Sequence, residues 1–292
     1  MYYLNCLIRL NFIYLQNCFY KNVAGMTKLA LFCVTYNSYN ELFSFLDSVS
    51  CAITESGNFD VDVYVADNTE KNIKNLSNIY EDAPFKLKVF AFNTNYGYMG
   101  AISRMVNGID CSEYDFIAIS NVDLILSKDA LSQLLSTNIS DDIGWIAPAL
   151  LSGLEKRDRN PQILKRYSIG RLKLLRLMFK YPILHYVYCK TFYKRKKMSK
   201  YGPMDIYAGH GSFMLFTKSF YSHNKTLDYP IFLYGEEIFL AELCRNAGLR
   251  VVYRPNIVIY DEEHVSTSKL KRSFYYKCNY EALDFLIRKF YT

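Results

Sequence analysis

The sequence predicts an α/β fold in which a mainly parallel central sheet is flanked by helices. Two observations support this prediction. Short apolar runs alternate with segments whose apolar residues recur at helical spacing. The runs are also continuously apolar, as expected for strands that are buried on both faces. With 292 residues, of which 51% are hydrophobic and 22% charged, the chain can bury a sizeable core.

Strands and helices alternate along the first half of the chain. The predicted strands are Leu29–Tyr36, Val61–Ala66, Leu87–Phe92 and Phe116–Ser120. Helices are predicted around Leu42 to Ile53 and from about Met99 to Ile109. The same pattern returns after residue 204, with a strand within Gly209–Phe216, a helix from about Ile238 to Ala247, and a last strand in LRVVYRP.

Each of the first four strands ends on short polar residues. In chain order these are Thr35-Tyr36-Asn37, Asp67-Asn68, Asn93-Thr94-Asn95 and Asn121-Val122-Asp123. Such residues are also typical of turns. In parallel sheets, however, ligands bind outside the carboxyl ends of the strands, so four polar endings in succession favour a binding site at that edge.

Three local motifs carry candidate chemistry. Asp123 follows a buried strand, where it could bind a divalent metal or merely stabilise a turn. Glu236 and Glu237 open a helix, where one could act as a general base or both could complement the helix dipole. His210 lies between two glycines and could face a ligand or be a structural histidine.

The order of these motifs resembles that of the inverting glycosyltransferase family 2. The motifs are VTYN, ADN, NYGYMGA, SNVDL, GHGSFML and YGEE followed by CRNAG, between about Thr27 and Leu270. The likeness is greatest to the bacterial rhamnosyltransferase-like branch, which builds surface polysaccharides. It implies a GT-A fold, a nucleotide-diphospho-sugar donor, a glycan or lipid-linked glycan acceptor, inversion at the anomeric carbon, and Mg²⁺ or Mn²⁺ as cofactor.

The resemblance also implies roles for individual residues. Donor-binding roles fall on Thr35, Tyr36 and Asn37 in the nucleotide pocket, Asp67 at the base or ribose, and Asn95, Gly97, Asn121 and His210. Metal-binding roles fall on Asp123, from a DxD-like motif, and on His264 near the last strand. Glu237 takes the position of the catalytic base, with Glu236 beside it.

Three departures from the family pattern affect these assignments. Asn121 replaces the first acid of the DxD-like motif, which leaves one carboxylate for the metal. Glu237 replaces the commoner Asp, which adds one methylene of reach. Asp261 stands where relatives carry a histidine, so the role of His264 stays open.

The charge is concentrated in one segment. Residues 165–200 carry 12 Lys or Arg and no acid, so the rest of the chain sums to −5 within a net charge of +7. This distribution excludes a general affinity for nucleic acid and indicates one basic surface. RLKLLRLMFK and the run Lys194–Lys197 suit an anionic membrane; the alternative is a helix packed on the core, with lysine stems covering its edge.

The predicted organisation is a single catalytic domain with additions. Residues 1–25 form an extension that either is foreign to the native protein or contacts the membrane. Residues 26–270 form the GT-A domain with a basic insertion at about 151–204, and residues 271–292 form a C-terminal helical tail. The eight cysteines show no CxxC pair, which indicates reduced thiols in the cytoplasm. Together with the basic segment, this predicts a protein that is peripheral at the inner face of the cell membrane.

Two other functions remain open from the residues alone. A nucleotidyltransferase uses a similar sheet but requires a Gly-rich, basic loop after the first strand, where this chain has TYNSYNE. A catalytically silent sugar- or membrane-binding module would not need Asp123 together with the glutamate pair.

Overall fold

The computed structural model describes residues 25–70, 80–191, 201–262 and 271–291. Three of the predicted features lie outside these ranges. They are the N-terminal extension apart from Gly25, the basic run Lys194–Lys197, and His264.

The described residues form ten strands. These are β1 (Thr27–Thr35), β2 (Phe59–Asp67), β3 (Lys86–Ala91), β4 (Phe116–Asn121), β5 (Leu124–Leu126), β6 (Ile143–Ser152), β7 (Arg157–Asp158), β8 (Met204–Ile206), β9 (Phe213–Thr217) and β10 (Arg250–Asp261). All ten belong to one sheet, with the order β3-β2-β1-β4-β9-β6-β10-β5, while β7 pairs with β6 and β8 with β10.

Eight α-helices flank the sheet within the described residues. They are α1 (Tyr39–Ser56), α2 (Tyr98–Val106), α3 (Ala130–Ser136), α4 (Ile169–Lys180), α5 (Pro182–Thr191), α6 (Lys218–His223), α7 (Glu236–Asn246) and α8 (Arg272–Phe290). In this part of the chain, no helix combines the length and the apolar character needed to cross a membrane.

The sheet confirms the predicted α/β class but is more mixed than predicted. Strands β3, β2, β1 and β4 pair with one another in parallel, and so do β6 and β10. Strand β9, by contrast, runs antiparallel between β4 and β6. A continuously apolar strand is buried on both faces in either direction, so the sequence pattern does not reveal this reversal.

The core fills both faces of the sheet. On one face, Leu42, Phe45 and Leu46 of α1 pack with the odd-numbered residues of β1, such as Leu31 and Cys33. On the other face, α2, α7 and α8 pack against Phe32, Trp145 and Phe216. The alternation of side chains along β1 between these two clusters explains why Leu29–Val34 is continuously apolar.

Helix α7 is fixed to the rest of the fold by a buried carboxylate. Glu242 is fully buried and receives a two-pronged hydrogen bond from Arg166, with Nε–Oε1 at 2.6 Å and Nη2–Oε2 at 3.0 Å. The hydroxyls of Tyr207 and Tyr291 also donate to Oε1, at 2.6 and 3.1 Å. This network holds in place the helix that begins with Glu236 and Glu237.

The C-terminal segment that we predicted as a helical tail forms α8 and contributes to the core. Its residues Tyr276, Leu283, Leu286 and Ile287 are buried. Helix α8 packs against both α4 and α7. It therefore connects the basic helix α4 to the helix that carries the glutamate pair.

Candidate active site

The polar strand endings lie at one edge of the sheet. In the parallel register, Thr35 pairs with Asp67, Val34 with Asn121, and Asp67 with Ala91. The carboxyl ends of β1, β2, β3 and β4 therefore lie side by side, as the motif pattern predicts.

Asp67 stabilises the loops of the predicted nucleotide pocket through hydrogen bonds. It is fully buried, and its Oδ2 accepts a hydrogen bond of 2.8 Å from the hydroxyl of Tyr39, while Oδ1 accepts one of 2.9 Å from the amide of Thr69. The Oγ1 of Thr69 in turn accepts from the amide of Asn37 at 3.1 Å. The structure thus shows Asp67 ordering the loop of Tyr36 and Asn37, and direct contact with a base or ribose stays a prediction.

A second set of hydrogen bonds shapes the loop before α2. The side chain of Asn68 donates to the carbonyl of Gly97 at 3.0 Å, and Oδ1 of Asn95 accepts from the amide of Gly97 at the same distance. Asn68 had no assigned role in the sequence, although it is the last residue of the ADN motif. Buried Thr35 Oγ1 and Asn68 Oδ1 have no hydrogen-bond partner within the described residues, so the Thr35 hydroxyl could donate to or accept from a ligand and Asn68 Oδ1 could accept from one.

Gly97 joins this loop to the loop before α7. Its φ of 74° and ψ of −178° belong to a region that is essentially restricted to glycine. A Cβ atom at this position would lie 2.2 Å from the carbonyl oxygen of Phe232. The close approach requires glycine and brings the NYGY segment against the FLYGEE segment.

Tyr98 and Gly211 lie at the centre of the predicted catalytic residues. The hydroxyl of Tyr98 donates to the carbonyl oxygen of Gly211 at 3.1 Å, and the amide of Gly211 donates to the Glu237 carboxylate. A Cβ on Gly211 would lie 2.9 Å from Oε1 of Glu236 and 3.1 Å from Oε1 of Glu237. Both carboxylates therefore turn towards the GHGS loop, and the sequence analysis missed Tyr98.

Asp123 also influences the pKa of Tyr98. Burial raises the pKa of Tyr98 well above its usual value, and the negative charges of Glu236, Asp123 and Glu237 raise it further. Its phenol is therefore a hydrogen-bond donor across the physiological pH range. A contact agrees with this influence of Asp123, because Asn121 donates to Ser212, and Ser212 follows the Gly211 that both glutamate carboxylates approach.

Burial of the glutamate pair favours the protonated form of its carboxyl groups. Burial and then the neighbouring Glu237 raise the pKa of Glu236 to about 8, and burial raises the pKa of Glu237 as well. Two carboxylates in one poorly solvated place cannot both ionise easily. A carboxylate with a raised pKa is a stronger base near neutral pH than an exposed one, which suits proton removal from a hydroxyl.

The surroundings of Asp123 suit a hard divalent cation. Asp123 lies in the turn between β4 and β5, and this turn contacts the GHGS loop because the amide of Asn121 donates to the carbonyl of Ser212 at 2.8 Å. The described residues contain no group of three His, Cys, Asp or Glu side chains that could hold a metal by themselves. One carboxylate with amide oxygens nevertheless fits Mg²⁺, which proteins commonly bind through one or two carboxylates and the phosphates of a substrate.

His210 is held as a neutral imidazole beside the site. Burial and then Arg159 lower its pKa to about 4. Its Nδ1 accepts from the amide of Ser212 at 3.2 Å, which leaves the proton on Nε2. Asp261 is buried and forms an ion pair with Arg159 at 2.5 Å.

The raised pKa of Glu236 predicts a pH-dependent stability. Because the folded protein binds this proton more tightly than the unfolded chain, whose Glu titrates near 4.5, the contribution is present below about pH 4.5 and is lost as the pH rises to about 8. Glu236→Gln keeps the neutral form, so its stability relative to the unmodified protein should increase between pH 5 and 8. Denaturant unfolding of both proteins at pH 5, 6.5 and 8 measures this difference, and a difference that does not change with pH contradicts the assignment.

The chain resembles known proteins over most of its length. A family model described as "Glycosyltransferase like family 2" matches residues 27–275. The crystal structure of S. aureus TarS residues 1–349 in complex with UDP-GlcNAc aligns with a TM-score of 0.55 at 10% identity, over 90% of this chain and 67% of that one. The structure of S. aureus TarS aligns with a TM-score of 0.52 at 10% identity, over 81% of this chain but only 37% of that one. Among curated proteins there is no match. The structural likeness confirms the GT-A fold.

Proposed function

The chain belongs to glycosyltransferase-like family 2, and from this premise we propose that it transfers a sugar, with inversion, from a nucleotide-diphospho-sugar to a hydroxyl of a glycan or lipid-linked glycan. One observation carries the proposal. The Tyr98 hydroxyl donates to the carbonyl of Gly211, both glutamate carboxylates lie against Gly211, and the strand end before Asp123 contacts the neighbouring Ser212. A similarly folded protein, TarS, has been crystallised with UDP-GlcNAc, which supports a donor of this class.

In the proposed reaction Glu237 is the general base. It removes the proton from the acceptor hydroxyl while that oxygen bonds to the anomeric carbon. The bond from this carbon to the diphosphate oxygen breaks on the opposite face, which inverts the configuration and releases the nucleoside diphosphate. The amide of Gly211 orients the Glu237 carboxylate, and the Tyr98 hydroxyl orients Gly211.

The leaving diphosphate needs positive charge nearby. Asp123, with Asn121, would hold a Mg²⁺ or Mn²⁺ ion, which when bound supplies neutralisation of the diphosphate charge. The neutral His210 could add a hydrogen bond from Nε2 to an oxygen of the donor. Asn95 and Gly97 would lie against the donor, because the NYGY loop borders the same edge.

We further propose that the sugar is a hexose or deoxyhexose and that the product is a surface polysaccharide. The support is the motif likeness to the rhamnosyltransferase-like branch. Such a role places the enzyme in the cytoplasm, peripheral at the inner face of the cell membrane. A nucleotidyltransferase is less well supported because the loop between β1 and α1, Tyr36 to Ser38, has no glycine and no basic residue.

The proposal is tested with a panel of nucleotide sugars in which transfer and slow hydrolysis are measured. At least one nucleotide-diphospho-sugar should turn over with added Mg²⁺ or Mn²⁺, and EDTA should abolish turnover. Asp123→Ala should lose metal-dependent donor binding and activity together, because it removes the predicted carboxylate ligand. Asp141→Ala, at an exposed position, serves as the matched control. Normal turnover by Asp123→Ala in EDTA would show that the metal assignment is wrong.

A further inference from the structure

Helices α4 and α5 expose an unusual amount of apolar surface. Helix α5 has no buried residue at all, and Ile183 is 77% exposed. Of the 15 large hydrophobic residues that are exposed in the described part of the chain, eight lie between residues 169 and 187. Exposed apolar residues that occur singly need no explanation, but a concentrated group of this kind marks an interaction surface.

The exposed apolar residues lie on the outward faces of the two helices. On α4, Leu172 and Met178 are buried, while Leu174, Leu177 and the following Tyr181 recur at helical spacing on the solvent side. On α5, Ile183, Tyr186, Val187 and Lys190 follow an i, i+3, i+4, i+7 pattern. We call the outward face formed by Leu174, Leu177, Tyr181, Ile183, Tyr186 and Val187 the α4–α5 surface.

Cations border this surface and no acid lies in its segment. Lys173, Lys180 and Lys190 are exposed, and residues 165–191 contain neither Asp nor Glu. Lys190 Nζ lies 4.8 Å from the centre of the Tyr186 ring, and Lys180 Nζ lies 5.7 Å from that of Tyr181. Arg176 is different, since it forms an ion pair of 2.7 Å with Asp284 of α8. Lysines and tyrosines around an apolar centre match the boundary between lipid headgroups and acyl chains.

Helix α4, which carries part of the α4–α5 surface, is connected to the site by aromatic contacts on its inner side. Phe179 of α4 packs edge-on against Tyr275 of α8, with ring centres 5.8 Å apart, and Tyr275 packs against Tyr234 at 5.4 Å. Tyr234 lies two residues before Glu236. A second connection starts at Arg171 of α4, whose guanidinium lies 4.2 Å from the centre of the Tyr167 ring. The charge of Glu237 contributes to raising the pKa of Tyr167.

We infer that the α4–α5 surface docks on an anionic lipid bilayer, with its apolar side chains entering the headgroup boundary and its lysines contacting acidic headgroups. A bilayer is favoured over a protein partner because Lys180 and Lys190 lie beside tyrosines of the surface and residues 165–191 contain no acid. The orientation would present the glutamate pair to an acceptor anchored in that bilayer. This last consequence rests on the proposed glycosyl transfer, whereas the docking itself does not.

The test is co-sedimentation of the full chain with vesicles, without donor, metal or acceptor. Vesicles of phosphatidylglycerol and phosphatidylcholine should bind the protein more tightly than pure phosphatidylcholine, and 0.5 M salt should weaken the binding. Replacing Lys173, Lys180 and Lys190 with Gln should weaken partition by roughly five-fold per charge, or on the order of 100-fold in all. Lys128, Lys156 and Lys225, exposed elsewhere, replaced with Gln provide the control of equal charge loss.

A second pair of variants tests the apolar contribution. The double variant Ile183→Ser, Val187→Ser should reduce binding at least ten-fold, since it removes two apolar side chains from the bilayer boundary. Leu135→Ser with Leu154→Ser removes exposed apolar residues elsewhere and should have no effect. Thermal unfolding and donor hydrolysis without vesicles should be unchanged in all four variants, which separates docking from catalysis. Absence of binding by the unmodified chain, or equal binding by the α4–α5 variants and their controls, overturns the inference.

Discussion

Glu237→Gln should lower kcat by about 10²–10⁴-fold while leaving donor affinity nearly unchanged. The amide oxygen of Gln can still accept the hydrogen bond from the Gly211 amide, so the local geometry should persist. Gln cannot take up the acceptor proton, so the loss should appear in the chemical step. Steady-state transfer measured together with donor binding by calorimetry separates the two quantities.

Glu236→Gln is the comparison that assigns the roles within the pair. If Glu237 is the base, Glu236→Gln should keep most of its activity. It should also leave the acidic limb of the pH–rate profile nearly unchanged, because Glu236 is still protonated and uncharged where Glu237 loses its proton. An inactive Glu236→Gln beside an active Glu237→Gln would exchange the two roles.

Gly97→Ala should inactivate the enzyme and destabilise it at the same time. The new Cβ would lie 2.2 Å from the backbone oxygen of Phe232, in a backbone conformation that only glycine adopts readily. The two loops must therefore separate, which disturbs both the donor side and the segment before Glu236. We expect a cost of about 3 kcal/mol or more, seen as a fall in Tm of roughly 6–12 °C, together with loss of donor binding.

The matched control for this variant lies three residues further along the chain. A Cβ on Gly100, within α2, would have its nearest neighbour at an ordinary 3.5 Å. Gly100→Ala should leave activity intact and hold or raise Tm, since alanine favours the helix. Equal losses in the two variants would show that α2 tolerates no side chain in general, and that the contact with Phe232 is not the cause.

The sheet edge was predictable because its signal is local. Each of β1, β2, β3 and β4 ends within one or two residues of its predicted position, and polar residues follow directly. Parallel strands must then bring these endings together, so Thr35 and Asp67 become neighbours in the register. The direction of β9 was not predictable in this way, since apolar content carries no information about strand direction.

The internal arrangement of the site was less predictable because it depends on contacts between distant segments. Tyr98 and Gly211 are 113 residues apart, and neither motif indicates that one would donate to the other. The same holds for Asp67, because its motif does not indicate the hydrogen bonds that it accepts from Tyr39 and Thr69 in the folded chain. For α4, the sequence left core packing and membrane contact open, and the helix has one buried face and one exposed apolar face.

The buried carboxylate of Glu242 has a consequence for the order of folding. Its partners Arg166 and Tyr291 lie 76 residues before it and 49 residues after it, so the network closes two long loops. Closing such loops is entropically costly and slow compared with forming local contacts. During synthesis, we therefore expect the segment that carries the glutamate pair to reach its final position only after α8 has been made. The edge formed by β1, β2, β3 and β4 should assemble earlier, because these strands lie in the first half of the chain.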